Sequence, residues 1–143
     1  MEIDTSGDEN KLDGELLIHF PQGLIGFEQL KDYKLYSSET EENLHWLQPV
    51  NDETIEFAVT FPQVFQIDYE ISLNDDEEQL LDIEDAEEIA LLVTLSKKDS
   101  PQDDGTQLNA NFMAPIVINT KKRLGLQKTL NKQINPVTIT MKG

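Results

Sequence analysis

No apolar run in this chain is long. Residues 16–20, 33–36, 44–50, 56–61, 89–95 and 112–118 form runs of only four to seven residues, each ending at a proline or a polar cluster. A helix that buries one face needs apolar residues at 3.6-residue spacing over ten or more positions; short runs rich in Val, Ile, Phe and Tyr between breakers are strands. Residues 64–73 add an alternating run, in which Ile67, Tyr69, Ile71 and Leu73 share one face from Gln66 onward. Residues 89–95 are apolar on both faces, as a central strand is, and Pro115 interrupts 112–118, marking a bulge or an edge. The polar stretch 97–105 reads as a hairpin loop joining these two most apolar strands. One short helix is expected: Asn74 can cap it, Glu77 follows three residues later, and Leu80 and Leu81 supply a small apolar stripe. The pattern predicts an all-β, mainly antiparallel fold, a small barrel or a sandwich, with one or two short helices.

The 143 residues suit one domain whose core needs neither metal nor disulfide. That domain is expected over residues 14–130, with 1–13 flexible or weakly paired and no order assigned to 131–143. Absence of Cys removes disulfides, thiolate zinc sites, iron–sulfur clusters and cysteine nucleophiles. No stretch approaches the roughly 20 apolar residues that span a bilayer. The acidic, polar start Met1-Glu2-Ile3-Asp4 lacks the features of a secretion signal, so a cytoplasmic location is expected.

Charge is divided sharply along the chain. Residues 1–96 hold 25 of the 28 acids beside only Lys11, Lys31 and Lys34, a net of −22, whereas residues 97–143 carry a net of +5. No Lys or Arg occurs between Lys34 and Lys97. Such a surface repels nucleic acid and anionic membranes and steers toward basic proteins. Part of the acidity has a local reason, because Asp75, Asp76, Glu77 and Glu78 fall in the first helical turn, where the helix dipole favours them.

No assembled catalytic constellation is visible. The chain has no Gly-rich phosphate loop, no dinucleotide fingerprint and no nucleophile elbow. Its two histidines, His19 and His45, lie in strand patterns without metal-ligand spacing and read as structural. With 28 acids, a pair of catalytic carboxylates can be drawn almost anywhere and is uninformative. Neither a cofactor nor a metal follows from the sequence. Two further readings stay open beside a binding module: a carboxylate enzyme in a barrel mouth, and a nucleic-acid binder using Lys121, Lys122, Arg123 and Lys128.

Two segments are distinctive. Phe20-Pro21-Gln22-Gly23-Leu24-Ile25-Gly26-Phe27-Glu28 is a stiff apolar turn, in which proline fixes one φ and two glycines permit close backbone approach. Met113-Ala114-Pro115-Ile116-Val117-Ile118-Asn119 is a core strand or an exposed edge. The first of these segments, Trp46-Leu47-Gln48, Asp68-Tyr69-Glu70 before the acidic helix, and Ala114-Pro115-Ile116-Val117-Ile118-Asn119 of the second resemble, in this order, the FliW family of bacterial flagellar assembly factors. The resemblance covers roughly residues 14–130 and implies a noncatalytic, cytoplasmic β-barrel, monomeric when free, that works by exchanging protein partners. It implies binding to newly made flagellin and to the RNA-binding translational repressor CsrA, with antagonism that need not fill the RNA site. A generic acidic, chaperone-like interaction module is the plainer alternative. Two groups of contact residues are expected: an acidic belt of Glu70, Asp75, Asp76, Glu77, Glu78, Glu84, Glu87 and Glu88, and an apolar corner of Ile25, Phe27, Trp46, Met113 and Ile116.

Overall fold

Alternation decides which side of the sheet each residue takes. In β2 (Leu16–His19), Leu16 and Ile18 are buried while Leu17 and His19 face out; in β3 (Asp32–Ser37), Tyr33 and Leu35 turn in; in β4 (Leu44–Pro49), His45 and Leu47 do. The computed structural model describes residues 2–4, 14–41, 43–65, 70–97, 107–130 and 137–140. The remaining elements are β1 (Glu2–Asp4), β5 (Phe57–Thr60), β6 (Glu70–Ser72), α1 (Asp75–Leu80), β7 (Ile89–Lys97), β8 (Gln107–Asn119), β9 (Leu124–Gln127) and β10 (Val137–Thr140). Two 3-10 turns occupy Pro62–Phe65 and Ala86–Glu88.

Seven strands close into a barrel in the order β8, β7, β5, β4, β3, β2, β9, with β9 returning to β8. Every neighbouring pair is antiparallel except β2 and β9, which meet in parallel at His19 and Leu124. Closure removes the exposed edges that an open sheet of these strands would carry. β10 adds to β8 outside the ring, and β1 pairs with β6.

The barrel interior is filled by Phe20, Tyr33, Leu35, Leu47, Val59, Phe61, Leu92 and Ile116, with Phe20 packed edge-on against Tyr33. A second core lies outside the barrel. Val93, Phe112, Val117 and Leu126 on the outer face of β7, β8 and β9 pack with Ile71, Leu73 and Leu81 from β6 and the residues flanking α1. Both faces of β7 are therefore buried, which is why residues 89–95 carry no polar alternation.

Pro115 sits in a bulge. Leu92 pairs with Ile116, but the next register pair is Thr94 with Asn111, so Phe112, Met113, Ala114 and Pro115 oppose Val93 alone. Residues 128–130 repair part of the broken ladder, with Lys128 N–H donating to the Pro115 carbonyl and Leu130 N–H to that of Met113.

The alternating strand expected over 64–73 is corrected in its first part. Val64 and Phe65 belong to a 3-10 turn, because Pro62 fixes φ and cannot donate to a ladder. Gln66 to Tyr69 lie outside the described residues, as do residues 98–105 of the expected hairpin loop; Ile71 and Leu73 are buried as the alternation requires. Strands β1, β9 and β10 are three or four residues each, too short to carry a pattern of their own.

Candidate partner-binding surface

The acidic belt divides into two halves of different character. Its first half is α1. Asn74 accepts a hydrogen bond from Glu77 N–H and donates its own N–H to Glu77 Oε1, both at 2.9 Å, completing a capping box. Glu77 also holds a lysine, since its carboxylate accepts both bonds of Lys128 Nζ at 2.7 and 2.9 Å, with both side chains less than a fifth exposed. Glu77 is thus occupied in fixing the helix to the strand-β9 side of the barrel. Asp75 and Asp76 point to solvent with no basic partner among the described residues. Glu78 lies on the same helix and is half-buried.

The second half, residues 82–88, is clamped. Fully buried Asn119 donates through Nδ2 to the carbonyls of Leu81 and Asp82, and its Oδ1 accepts from Lys121 and Lys122 N–H, at 2.8 to 3.3 Å. One amide side chain thereby ties the acidic loop to the turn between β8 and β9. Asp82 and Arg123 both take left-handed backbone conformations in the two segments so joined. Thr120 adds two bonds, its N–H and hydroxyl both donating to the Glu88 carbonyl. The lysines then meet the acids: Lys122 Nζ lies 3.0 Å from Glu84 and 3.2 Å from Asp82, and Lys121 Nζ lies 3.9 Å from Glu84 and 4.0 Å from Glu88. The hydrogen bond to Glu84, and then that to Asp82, holds Lys122 above the usual lysine range. Glu88 is nearly buried, with Oε2 lacking a hydrogen-bond partner, while Glu87 is exposed. The side chain of Glu70 lies outside the described residues.

The apolar corner is built on Gly23. Its φ is +68°, and a Cβ there would come within 2.7 Å of Glu28 Cα and 2.8 Å of the Phe27 and Glu28 carbonyl oxygens, so only glycine lets the turn fold onto itself. Gly125 plays a different part: a side chain on this β9 residue would collide with the Phe20 ring, which plugs the barrel. The turn buries Leu24 and sets Phe27 edge-on against Phe57, leaving Ile25 55% exposed. Ile25 N–H donates to Gln127 Oε1, whose amide donates on to the Ala114 carbonyl, so the turn, β9 and the β8 bulge are held together. A cleft of about 230 Å³ opens there, lined by Leu24, Ile25, Phe57, Thr94, Ala114 and Gln127 among others, with no carboxylate in its wall.

The expected contact residues thus separate. Ile25 is open, Phe27 and Met113 are partly buried, and Trp46 is half-buried on the outer face of β4. Ile116 is corrected: it has no exposed surface and belongs to the barrel core, because the β8 ladder resumes beyond Pro115 and turns it inward. The basic group considered for nucleic acid is largely spent, since Lys121, Lys122 and Lys128 face carboxylates of this same chain. No group of three or more potential metal ligands occurs, and no helix is long and apolar enough to cross a membrane, among the described residues.

The chain matches the family profile described as FliW protein over residues 3–141. It is 40% identical over 121 residues to the flagellar assembly factor FliW of Azoarcus sp. (strain BH72), covering 81% of each chain. It is 33% identical over 119 residues to flagellar assembly factor FliW 1 of Desulfotalea psychrophila, covering 82% of each. A crystal structure of the flagellar assembly factor FliW superposes with a TM-score of 0.75 at 33% identity, over 87% of this chain and 84% of that one. A profile match over nearly the whole length, relatives that are covered almost as fully, and a barrel that superposes together place this chain in the FliW family of flagellar assembly factors.

Proposed function

We propose that this chain acts in the cytoplasm as a noncatalytic partner switch, holding flagellin in one state and holding and antagonising the translational repressor CsrA in the other. The observation that supports it best is the exposed acidic face at Asp75 and Asp76, without a basic partner among the described residues, carried on a member of a family of flagellar assembly factors. A repressor that binds RNA presents basic surface, and an acidic helix held against it opposes phosphate at close range without entering the RNA site. Such antagonism needs only that the assembly factor bind the RNA-free repressor more tightly than the RNA-bound one. Flagellin, by occupying an overlapping surface, releases the repressor; its export reverses the exchange. The apolar corner at Ile25, Phe27 and Met113 supplies the anchoring area that charge alone does not. The cleft beside the apolar turn has no titratable side chain in its wall.

Calorimetry with purified CsrA, at two salt concentrations and with flagellin as competitor, tests the switch. Saturable binding that weakens with salt and is abolished by flagellin is the expected result. A folded protein that binds neither partner sinks it.

A further inference from the structure

The outer wall of the barrel carries two aromatic rings that form no close ring pair among the described residues. Every other Phe, Tyr or Trp ring in the described residues has a ring partner, as in the pairs Phe20–Tyr33, Phe27–Phe57 and Phe65–Phe112, and Phe61 packs against His45. Tyr36 and Trp46 do not, yet they stand directly opposite each other across β3 and β4. Beyond Trp46 in the same row comes Ala58, which offers only a methyl group beside the indole. Both rings are half-buried on the outward face of the sheet.

Carboxylates surround this row. Tyr36 OH donates to Glu56 Oε2 at 2.6 Å, and Glu15 precedes the start of β2, where Leu16 pairs with Leu35 next to Tyr36. The hydrogen bond to Glu56, then burial, and last the charges of Glu56 and Glu15 push the Tyr36 phenol up to about 12. Lys34, on this face, lies 3.9 Å from Glu15. The strands β4 and β5 bring no Lys or Arg of their own.

We infer that Tyr36 and Trp46, with Glu15 and Glu56 at their margin, form a platform for an arginine side chain presented by a protein partner. A guanidinium is flat, weakly hydrated and a fork of donors, so it can lie on an indole face while donating to a carboxylate; an ammonium does the first poorly and cannot do both in one plane. The platform is separate from the α1 belt. It rests on the reading that this chain binds proteins, and not on which protein is bound.

Trp46 is the only tryptophan, so intrinsic fluorescence reports this place and no other. Titration of the full chain with a short unstructured peptide containing two arginines, beside matched lysine and citrulline peptides, is the test. The expected result is a saturable change in Trp emission whose midpoint lies about 3- to 10-fold lower for the arginine peptide than for the lysine one, with no change from citrulline. Glu56→Gln should erase most of that difference while leaving the emission of the free protein in place, which shows that the indole remains seated. Equal midpoints for arginine and lysine, or an unaltered preference in Glu56→Gln, overturn the platform. A preference that persists in a chain binding neither CsrA nor flagellin keeps the platform and removes the partner switch; binding of both proteins without the preference does the reverse.

Discussion

The two halves of the acidic belt share a composition and differ in what faces them. In residues 82–88, Asp82, Glu84 and Glu88 meet Lys121 and Lys122 across a seam organised by buried Asn119, so the charge of these three is answered within the chain. Among the described residues Asp75 and Asp76 on α1 have no basic partner, and Lys128, beside the helix, is taken by Glu77. Acidity in one place is therefore structural and in the other is available to a partner, a distinction that a count of carboxylates conceals. An exposed carboxylate with a counterion nearby contributes little steering, whereas an unanswered one acts over about a Debye length.

The contrast between the halves breaks most decisively at Asn119. Asn119→Ala strips four hydrogen bonds from a fully buried site, orphaning the carbonyls of Leu81 and Asp82 and the N–H groups of Lys121 and Lys122. A loss of about 3 kcal/mol in urea unfolding is expected; a loss under about 1 kcal/mol would show that the seam is not what holds the second half. Lys128→Met comes next, leaving the mostly buried Glu77 carboxylate without its cation at a cost of about 2 kcal/mol. Glu77→Gln, which keeps a side-chain oxygen for the cap, should cost less than Lys128→Met. If it costs more, the capping box outweighs the ion pair.

Affinity should divide as the halves do. Asp75→Asn with Asp76→Asn is expected to weaken CsrA binding about tenfold at low salt and to flatten its salt dependence, while Asp82→Asn with Glu84→Gln, both paired with Lys122, changes it about twofold. Equal effects from the two pairs would mean that the clamp does not mask charge. The smallest effect concerns Lys122, whose pKa is raised by Glu84 and Asp82. A lysine held above its ordinary pKa stabilises the fold at pH values below the lysine range and loses that contribution as pH climbs through the raised value. The stability difference between the wild type and Lys122→Met should accordingly be small, shrink with salt, and vanish at alkaline pH; a difference that grows with pH would contradict the pairing.

Much of the fold is legible in the pattern of residues. Alternation in 16–20 and 33–36 assigns the inward faces, the two-sided apolar run 89–95 announces a strand buried on both sides, and Asn74 with Glu77 announces the helix and its cap. The candidate surface is legible only in outline. The excess of acid is plain, but its division is not, because Lys121 and Lys122 lie some forty residues from the carboxylates they answer. Ile116 shows the same limit: its neighbour Pro115 marks an irregular strand, yet only the register beyond the bulge shows which way the side chain turns. Tyr36, Glu56 and Glu15 carry no motif, and only strand pairing brings them beside Trp46.

By itself the sequence determined local matters: strand or helix, inward or outward, glycine where Gly23 must fold back, and the sign of the charge on each stretch. Those depend on near neighbours along the chain, through steric limits on φ and the two-residue period of a strand. Tertiary structure alone decided that the strands close into a ring through the parallel meeting of β2 and β9, which carboxylates meet a lysine, and which aromatic rings make a close ring pair. Those outcomes depend on contacts between distant segments, and a charge or a ring acquires its role from what is packed against it rather than from what precedes it in the chain.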